Sequence, residues 1–222
     1  MELLYCILIG YFIGCINPSF FLGKLKGVDV KKSGSGNAGA SNALILFGKL
    51  TGVFCAVFDI FKAWFAVWLS SKLFETYVYT FVVTSVSAIL GHIFPFYMRF
   101  RGGKGLACFG GMVLYYDWRV FLIMLACAVV FVLIVNYICF VPITASLVFP
   151  VIYGFGTNDT VGALILLIPA VVIFFKHIEN LKRIAAGTEF RISFLWNKQK
   201  ELDRLNIKED EAEPEMKSEA VK

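Results

Sequence analysis

Residues 3–23 read LLYCILIGYFIGCINPSFFLG, a run without a single charged side chain. About 20 consecutive apolar residues are enough for one α-helix to cross the hydrocarbon core of a bilayer. Six more apolar runs follow, at residues 51–70, 77–100, 106–116, 120–137, 142–155 and 161–175. The pattern predicts an all-α, polytopic membrane protein with about seven transmembrane helices. The fourth, sixth and seventh runs are short for a full crossing, so we expect short helices there.

The composition excludes a water-soluble enzyme of this size. Of the 222 residues, 59% are hydrophobic and 17% charged, and the mean hydropathy is +0.75. Soluble domains are nearer half apolar and a quarter charged, and a small globule has too much surface to hide such a surplus. The net charge of +5 comes from basic residues in short loops, so we expect no nucleic-acid partner. The six cysteines form no C-x-x-C pair, and neither a zinc site nor a disulfide framework is expected.

The distribution of lysine and arginine predicts the orientation of the chain. Cytoplasmic loops carry an excess of basic residues. Such residues cluster after the first, third and seventh apolar runs: Lys24, Lys26, Lys31, Lys32, Arg99, Arg101, Lys104, Lys176, Lys182 and Arg183. Seven helices with the N-terminus outside would place all of these loops, and the C-terminus, in the cytoplasm.

The end of the chain differs in composition from the rest. We expect residues 1–189 to form the membrane domain. Residues 190–206 mix phenylalanine, leucine and tryptophan with basic residues, which predicts an amphipathic segment at the membrane interface. Residues 207–222 are rich in acidic residues and lack aromatic ones, which predicts a disordered tail.

The first polar motif is SGSGNAGASN at residues 33–42. Glycines allow consecutive backbone N–H groups to form a concave nest that binds anions. The candidate anion-binding residues are Ser35, Gly36, Asn37, Gly39 and Asn42. A flexible glycine- and serine-rich linker is the alternative interpretation.

The second polar motif is GHIFPFYMRFRGGKG at residues 91–105. Lys104 stands between glycines, and such small neighbours let a phosphate approach its ammonium group. The motif is not a Walker A sequence, because no serine or threonine follows the lysine. Alternatively, Lys104 serves only as an orientation signal. We expect His92 to be structural, stabilising the break made by Gly91 and Pro95.

The third polar motif is KHIENLKRIAAGTE at residues 176–189. On a helix, His177 and Asn180 share one face, and Lys176, Asn180 and Arg183 form one stripe. Simple interfacial anchoring is the alternative. Because all three motifs fall on the cytoplasmic side, we expect them to form one pocket for phosphate groups, with apolar walls for a lipid chain.

A charged pair lies inside the second apolar run. Asp59 and Lys62 are three residues apart on the predicted helix. Burying either charge alone would cost several kcal/mol. We therefore expect the two side chains to pair or to face a wet cavity, with a structural or electrostatic role.

Taken together, these residues resemble the PlsY family of membrane glycerol-3-phosphate acyltransferases. The resemblance rests on YFIG from Tyr11, GSGNAGASN at residues 34–42, D-x-x-K from Asp59, and the motifs at 91–105 and 176–189. It implies a seven-helix fold in a bacterial inner membrane. It also implies acyl transfer from acyl phosphate to the 1-hydroxyl of glycerol 3-phosphate, giving lysophosphatidic acid and phosphate, with no cofactor, metal or coenzyme A.

The resemblance also implies which residues form the site. It assigns functional roles to Ser35, Gly36, Asn37, Asn42, Lys104, His177 and Asn180. We expect Lys104, His177 and Asn180 to be catalytic. We expect substrate contacts from Ser35, Gly36, Asn37, Gly39, Asn42, Gly102, Gly103, Gly105, Arg183 and Glu189.

Four positions depart from the family pattern. Ile45 and Lys31 stand where arginine is usual, Cys108 replaces a threonine, and Cys139 replaces a serine. These departures indicate a divergent paralogue with fewer phosphate contacts. If residues 39–50 form one helix, Lys49 lies four residues from Ile45 on the same face and partly replaces the lost arginine as a substrate-binding residue.

Two alternative functions remain at this stage. One is an organophosphate transporter that uses the basic pocket only for binding, although internal repeats typical of transporters are absent from the sequence. The other is a catalytically weak relative that binds lipid.

Overall fold

The computed structural model describes residues 1–205, and all regular structure in that part of the chain is helical. The predicted tail, residues 207–222, lies outside the described residues. The helices are α1 (Glu2–Cys15), α2 (Pro18–Leu25), α3 (Ala40–Phe47), α4 (Lys49–Leu73), α5 (Thr80–Ile93), α6 (Leu106–Tyr116), α7 (Trp118–Val135), α8 (Phe140–Thr157), α9 (Thr160–Ala185) and α10 (Lys198–Leu205).

Six stretches of the described chain are long and apolar enough to cross a membrane. They are α1 joined to α2, α5 with the turn that follows it, α4, α7, α8 and α9. The helix α6 is apolar but only 11 residues long. The expected all-α membrane fold is therefore confirmed, with α6 as the seventh apolar segment.

The expectation of short sixth and seventh helices is wrong. Helix α8 has 18 residues and α9 has 26, because both continue beyond their apolar runs. Helix α9 extends through the first ten residues of the third motif and ends at Ala185, shortly before Gly187, which has a φ of 74°. Lys176, His177, Asn180 and Arg183 therefore lie at the end of a long helix, and Glu189 lies on the loop that follows it.

Helix α5 forms the centre of the bundle, whereas α7 lies at its edge. Twelve of the 14 residues of α5 are buried, and α5 packs on α1, α4, α6 and α9. Small residues permit the close approach of α1: a Cβ at Gly14 would lie 2.1 Å from the Ala88 carbonyl oxygen. In contrast, α7 has no buried residue.

The contacts of α1 separate the two ends of the bundle. Near its start, Tyr5 stacks on Phe74, with ring centroids 5.8 Å apart. After its end, Asn17 caps α2 by accepting from the Phe20 N–H at 2.8 Å, and its Nδ2 donates to the Ala38 carbonyl at 2.7 Å. The chain therefore starts at one end, and the first polar motif lies at the other.

One ionic cluster is buried where α4 meets α5. Lys62 Nζ lies 2.6 Å from Asp59 Oδ1 and donates to the Ile16 carbonyl at 2.5 Å. His92 Nδ1 lies 3.0 Å from Lys62 Nζ, and each of the three charged or polar side chains is at most 3% exposed. The expected pairing of Asp59 with Lys62 is confirmed. We call Asp59, Lys62 and His92 the sealed network.

Candidate active site

The three polar motifs meet around an open cavity of about 930 Å³. Its lining residues are Asp29, Lys31, Lys32, Ser35, Gly36, Asn37, Arg99, Arg101, Gly102, Lys104, Lys176, Glu179 and Arg183. Seven of these are lysine or arginine, and only two are acidic. Such an excess of positive charge in a concave site favours anionic ligands such as phosphate esters.

A chain of hydrogen bonds connects the second motif to the third. Lys104 Nζ donates to the Asn180 amide oxygen. Asn180 Nδ2 donates to Glu189 Oε1 at 2.5 Å, and Arg183 Nε donates to Glu189 Oε2 at 2.6 Å. Lys104 and Arg183 both line the cavity. We call Lys104, Asn180, Glu189 and Arg183 the open network.

The charge of Lys104 is not directly neutralised within the open network. Its partner is a neutral amide, whereas the carboxylate of Glu189 pairs with Arg183. Burial lowers the pKa of Lys104 from its ordinary value, and the positive charge of Arg183 lowers it further, against the opposing charge of Glu189. The ammonium group is therefore placed to pair with a negatively charged group of a ligand in the cavity.

His177 lies behind the cavity surface. It is 4% exposed, and its Nδ1 donates to the Ile173 carbonyl at 2.8 Å. This bond fixes the orientation of the ring by the preceding turn of α9 and leaves Nε2 for another partner. His177 is not among the residues that line the cavity.

The glycine-rich loop is held from below by Asn42. The Asn42 side chain is fully buried, accepts from the Ser35 N–H at 2.8 Å and donates to the Val30 and Ser33 carbonyls at 2.8 and 3.1 Å. The Gly36 N–H donates to Ser33 as well. These two N–H groups are therefore used inside the loop, which corrects the expectation that they form a free anion nest.

The side chains of the loop differ in their access to the cavity. Ser35, Gly36 and Asn37 line it, as expected of substrate-binding residues. Gly39 is buried at the start of α3, and Asn42 supports the loop from beneath. Both are placed to shape the loop, and neither lines the cavity.

The glycines beside Lys104 pack against the end of α5. The N–H groups of Gly102 and Gly103 donate to the Ile93 and His92 carbonyls at 3.0 and 3.1 Å. A Cβ at Gly103 would lie 2.0 Å from His92 Nε2. Gly105 has a φ of 95°, in the region that favours glycine, and immediately precedes α6. Gly102 is the only one of these three glycines that lines the cavity.

The premise behind the Lys49 hypothesis, that residues 39–50 form one helix, is wrong. Helix α3 ends at Phe47, and Gly48, with a φ of 89°, separates it from α4, which begins at Lys49. Ile45 and Lys49 thus lie on different helices. Lys49 is exposed and is not a cavity-lining residue.

Cys139 lies close to the open network, which the sequence did not indicate. Burial raises the pKa of its thiol to about 11, and the charge of Glu189 contributes in the same direction. The thiol is therefore protonated at neutral pH and is not an activated nucleophile.

Three lining residues were taken from the sequence only as orientation signals. Lys32, Arg99 and Arg101 belong to the basic loops, and all line the cavity, as does Lys176, which the sequence had placed on the stripe with Asn180 and Arg183. Arg99 has a φ of 54° and occupies a tight turn after α5. The sequence feature that could have identified these residues as cavity-lining is their clustering in three loops. However, a basic loop that faces lipid headgroups has the same composition.

Comparisons with known proteins agree with this architecture. A family model described as glycerol-3-phosphate acyltransferase matches residues 4–187. A relative from Oceanobacillus iheyensis, glycerol-3-phosphate acyltransferase 1, is 36% identical over 203 residues, covering 86% of this chain and 95% of its own.

Two crystal structures share the fold. Both are of PlsY (YgiH), described as an integral membrane glycerol 3-phosphate acyltransferase. The glycerol 3-phosphate form has a TM-score of 0.80 at 28% identity and covers 88% of this chain and 98% of its own. The lysophosphatidic acid form has a TM-score of 0.76 at 27% identity and covers 86% and 95%.

Proposed function

The chain belongs to the glycerol-3-phosphate acyltransferase family, and we propose that it transfers an acyl group from acyl phosphate to the 1-hydroxyl of glycerol 3-phosphate. The products are lysophosphatidic acid and inorganic phosphate. The cavity lies at one end of an apolar bundle, so a phosphate group can enter from water while an acyl chain lies against the helices. Bacterial relatives and the apolar helices support a bacterial cell membrane as its location.

The observation that carries this proposal is the contact of Lys104 with a neutral amide beside a strongly basic cavity. Both substrates carry phosphate, and the relatives whose fold this chain shares include forms with glycerol 3-phosphate and with lysophosphatidic acid. The partly buried ammonium of Lys104 offers a charge-assisted contact to a phosphate oxygen. Ser35 and Asn37 lie across the same cavity and offer hydroxyl and amide groups.

In the proposed reaction, the 1-hydroxyl oxygen attacks the acyl carbon of acyl phosphate. The bond between that carbon and the phosphate oxygen breaks, and phosphate leaves with the electron pair and takes the hydroxyl proton. Because acyl phosphate is already an activated anhydride, no covalent enzyme intermediate is needed. Lys104 stabilises the charge on phosphate, and Asn180, which accepts from Lys104, positions its ammonium group, with His177 behind the cavity surface.

Turnover by the purified protein tests the proposal. Protein in detergent receives palmitoyl phosphate and glycerol 3-phosphate, and both phosphate release and lysophosphatidic acid are measured. We expect stoichiometric formation of the two products. Palmitoyl coenzyme A serves as the alternative donor. Turnover with palmitoyl coenzyme A but not with palmitoyl phosphate would overturn the donor assignment. Binding of glycerol 3-phosphate without turnover would favour a transporter or a lipid-binding protein.

We also propose that the cavity faces the cytoplasm and the N-terminus faces outward. The support is the clustering of basic residues at the cavity end of the bundle. In a background without the native cysteines, Glu75→Cys should react with an impermeant thiol reagent in intact cells, whereas Gln199→Cys should react only after lysis. Both positions are exposed. The reverse pattern of labelling would invert the orientation.

A further inference from the structure

The chain continues beyond the third motif and folds back towards it. After Glu189, a short turn over Ile192–Leu195 leads to α10, which returns to the loop that carries Glu189. This segment lies beyond residue 187, where the family match ends.

Arg204 is the residue that holds α10 to the loop. Its Nη1 donates to the Gly187 carbonyl and its Nη2 to the Glu189 carbonyl, both at 2.6 Å. The rigid fork of a guanidinium suits such a pair of acceptors. Glu201, also on α10, accepts from Arg204 Nη2 at 2.5 Å and from the Arg191 N–H at 2.9 Å.

The returning segment is also fixed at its other end. The Ile192 N–H donates to the Asn136 carbonyl at 2.9 Å, and the Ser193 N–H donates to Asn136 Oδ1 at 3.1 Å. Leu202 is fully buried. The buried face of α10 therefore rests on the protein, and the segment predicted to lie at the membrane interface makes its closest polar contacts with the loop of Glu189.

We propose that α10 is a clasp that positions the open network, with Arg204 as the positioning residue, an inference that rests on the proposed function. Glu189 joins the two parts: its backbone carbonyl accepts from Arg204, while its carboxylate accepts from Asn180 and Arg183. Release of the clasp frees the loop of Glu189. Asn180 and Arg183 then lose their common partner, and Lys104 and Arg183 present their charges to phosphate in a less ordered arrangement.

Steady-state kinetics test this role with three variants. Arg204→Ala removes the clasp, Arg204→Lys keeps the charge without the fork, and Lys200→Ala removes an exposed positive charge from the same helix. We expect Arg204→Ala to raise KM for glycerol 3-phosphate about 3- to 30-fold, the range for residues that act through a neighbour. Arg204→Lys should recover part of this effect, and Lys200→Ala should leave KM unchanged. Partial unfolding would instead lower kcat at constant KM.

Hydrogen exchange tests the clasp without relying on turnover. The N–H groups of Thr188 and Glu189 donate to the Arg183 carbonyl at 2.8 and 3.2 Å. In the full-length protein in detergent, Arg204→Ala should accelerate exchange at these amides, and Lys200→Ala should not. Unchanged exchange would overturn the clasp, and faster exchange with unchanged KM would overturn its positioning role. If the native protein shows no acyl transfer, the proposed function fails while exchange still decides the clasp.

Discussion

The sealed and open networks each contain a lysine, yet the surroundings of the two lysines differ. Lys62 lies 2.6 Å from the carboxylate of Asp59, and both side chains are 2% exposed. Lys104 instead contacts the amide of Asn180 and lines the cavity. The charge of Lys62 is neutralised by the adjacent carboxylate, so its role is to stabilise the packing of the helices around it. The partner of Lys104 is neutral, so the charge of Lys104 remains available to a ligand.

The two networks are also in physical contact. His92 belongs to the sealed network, and its ring packs against Gly103, the residue before Lys104. Rigid support beneath a catalytic group limits its misplacement, and small misplacements are costly to catalysis. The comparison therefore predicts that damage to the sealed network lowers stability, while damage to the open network lowers turnover in a folded protein.

The largest effect is expected from Lys62→Ala. This change leaves the Asp59 carboxylate buried without its closest cation, and breaking a buried pair in this way costs about 3–5 kcal/mol. We expect a large fall in Tm in detergent, measured by thermal unfolding. Lys72→Ala, at the exposed end of the same helix, should change Tm little. Adding Asp59→Asn to Lys62→Ala should restore part of the loss, and equal Tm values throughout would contradict the bracing role.

Lys104→Ala should produce the next largest effect, on turnover rather than on stability. A charge-assisted contact to the reacting phosphate stabilises the transition state by about 2–4 kcal/mol, or about 30- to 1000-fold in rate. The measurements are kcat/KM and Tm on the same preparation. Turnover within a factor of two of the native enzyme would reduce Lys104 to an orientation signal.

Gly103→Ala tests the contact between the networks. Its Cβ would lie 2.0 Å from His92 Nε2, so either the loop or the ring must shift. We expect kcat/KM to fall about 10- to 100-fold, since the backbone of Lys104 moves with Gly103. Gly110→Ala is the matched control, because its Cβ would meet nothing closer than 3.4 Å. Native activity in the Gly103 variant would show that the loop adapts without displacing Lys104.

The pH dependence of turnover tests the charge of Lys104 in the open network. Activity requires the charged form of Lys104, and its lowered pKa means that activity falls as pH rises through a value below the ordinary lysine pKa of about 10.4. Arg183→Gln removes a positive neighbour, so the alkaline limb should move to higher pH. Lys104→Arg should abolish the limb, because arginine remains protonated. If the alkaline limb were identical in the native protein and in both variants, the titrating group would not be Lys104.

The smallest effect is expected at Lys49. Because Gly48 separates α3 from α4, Lys49→Ala should leave KM for glycerol 3-phosphate unchanged within a factor of two. The effect should be the same in the native background and in an Ile45→Arg variant. A double-mutant cycle measures this, and coupling between positions 45 and 49 would show that the lysine reaches the site after all.

The sequence predicted the helical membrane fold and the meeting of the three motifs, because apolar runs and basic loops are local signals. It did not predict the break at Gly48, since a glycine inside a helical pattern is often tolerated. Ser35 and Lys104 were placed correctly in the cavity, whereas Asn42 supports the loop from beneath. Whether a polar side chain faces a ligand or its own backbone depends on tertiary packing, which residue spacing does not determine.

The exposed position of α7 has a consequence for the evolution of this chain. None of its residues is buried, and its main helix contacts are with its neighbours α6 and α8, so packing constrains its sequence only weakly. Its presence, however, sets the parity of the membrane crossings. Deleting it would invert the orientation of α8 and α9 in the membrane. His177, Asn180 and Arg183 would then lie on the side opposite Lys104. The presence of helix α7 is thus constrained more tightly than its amino-acid sequence.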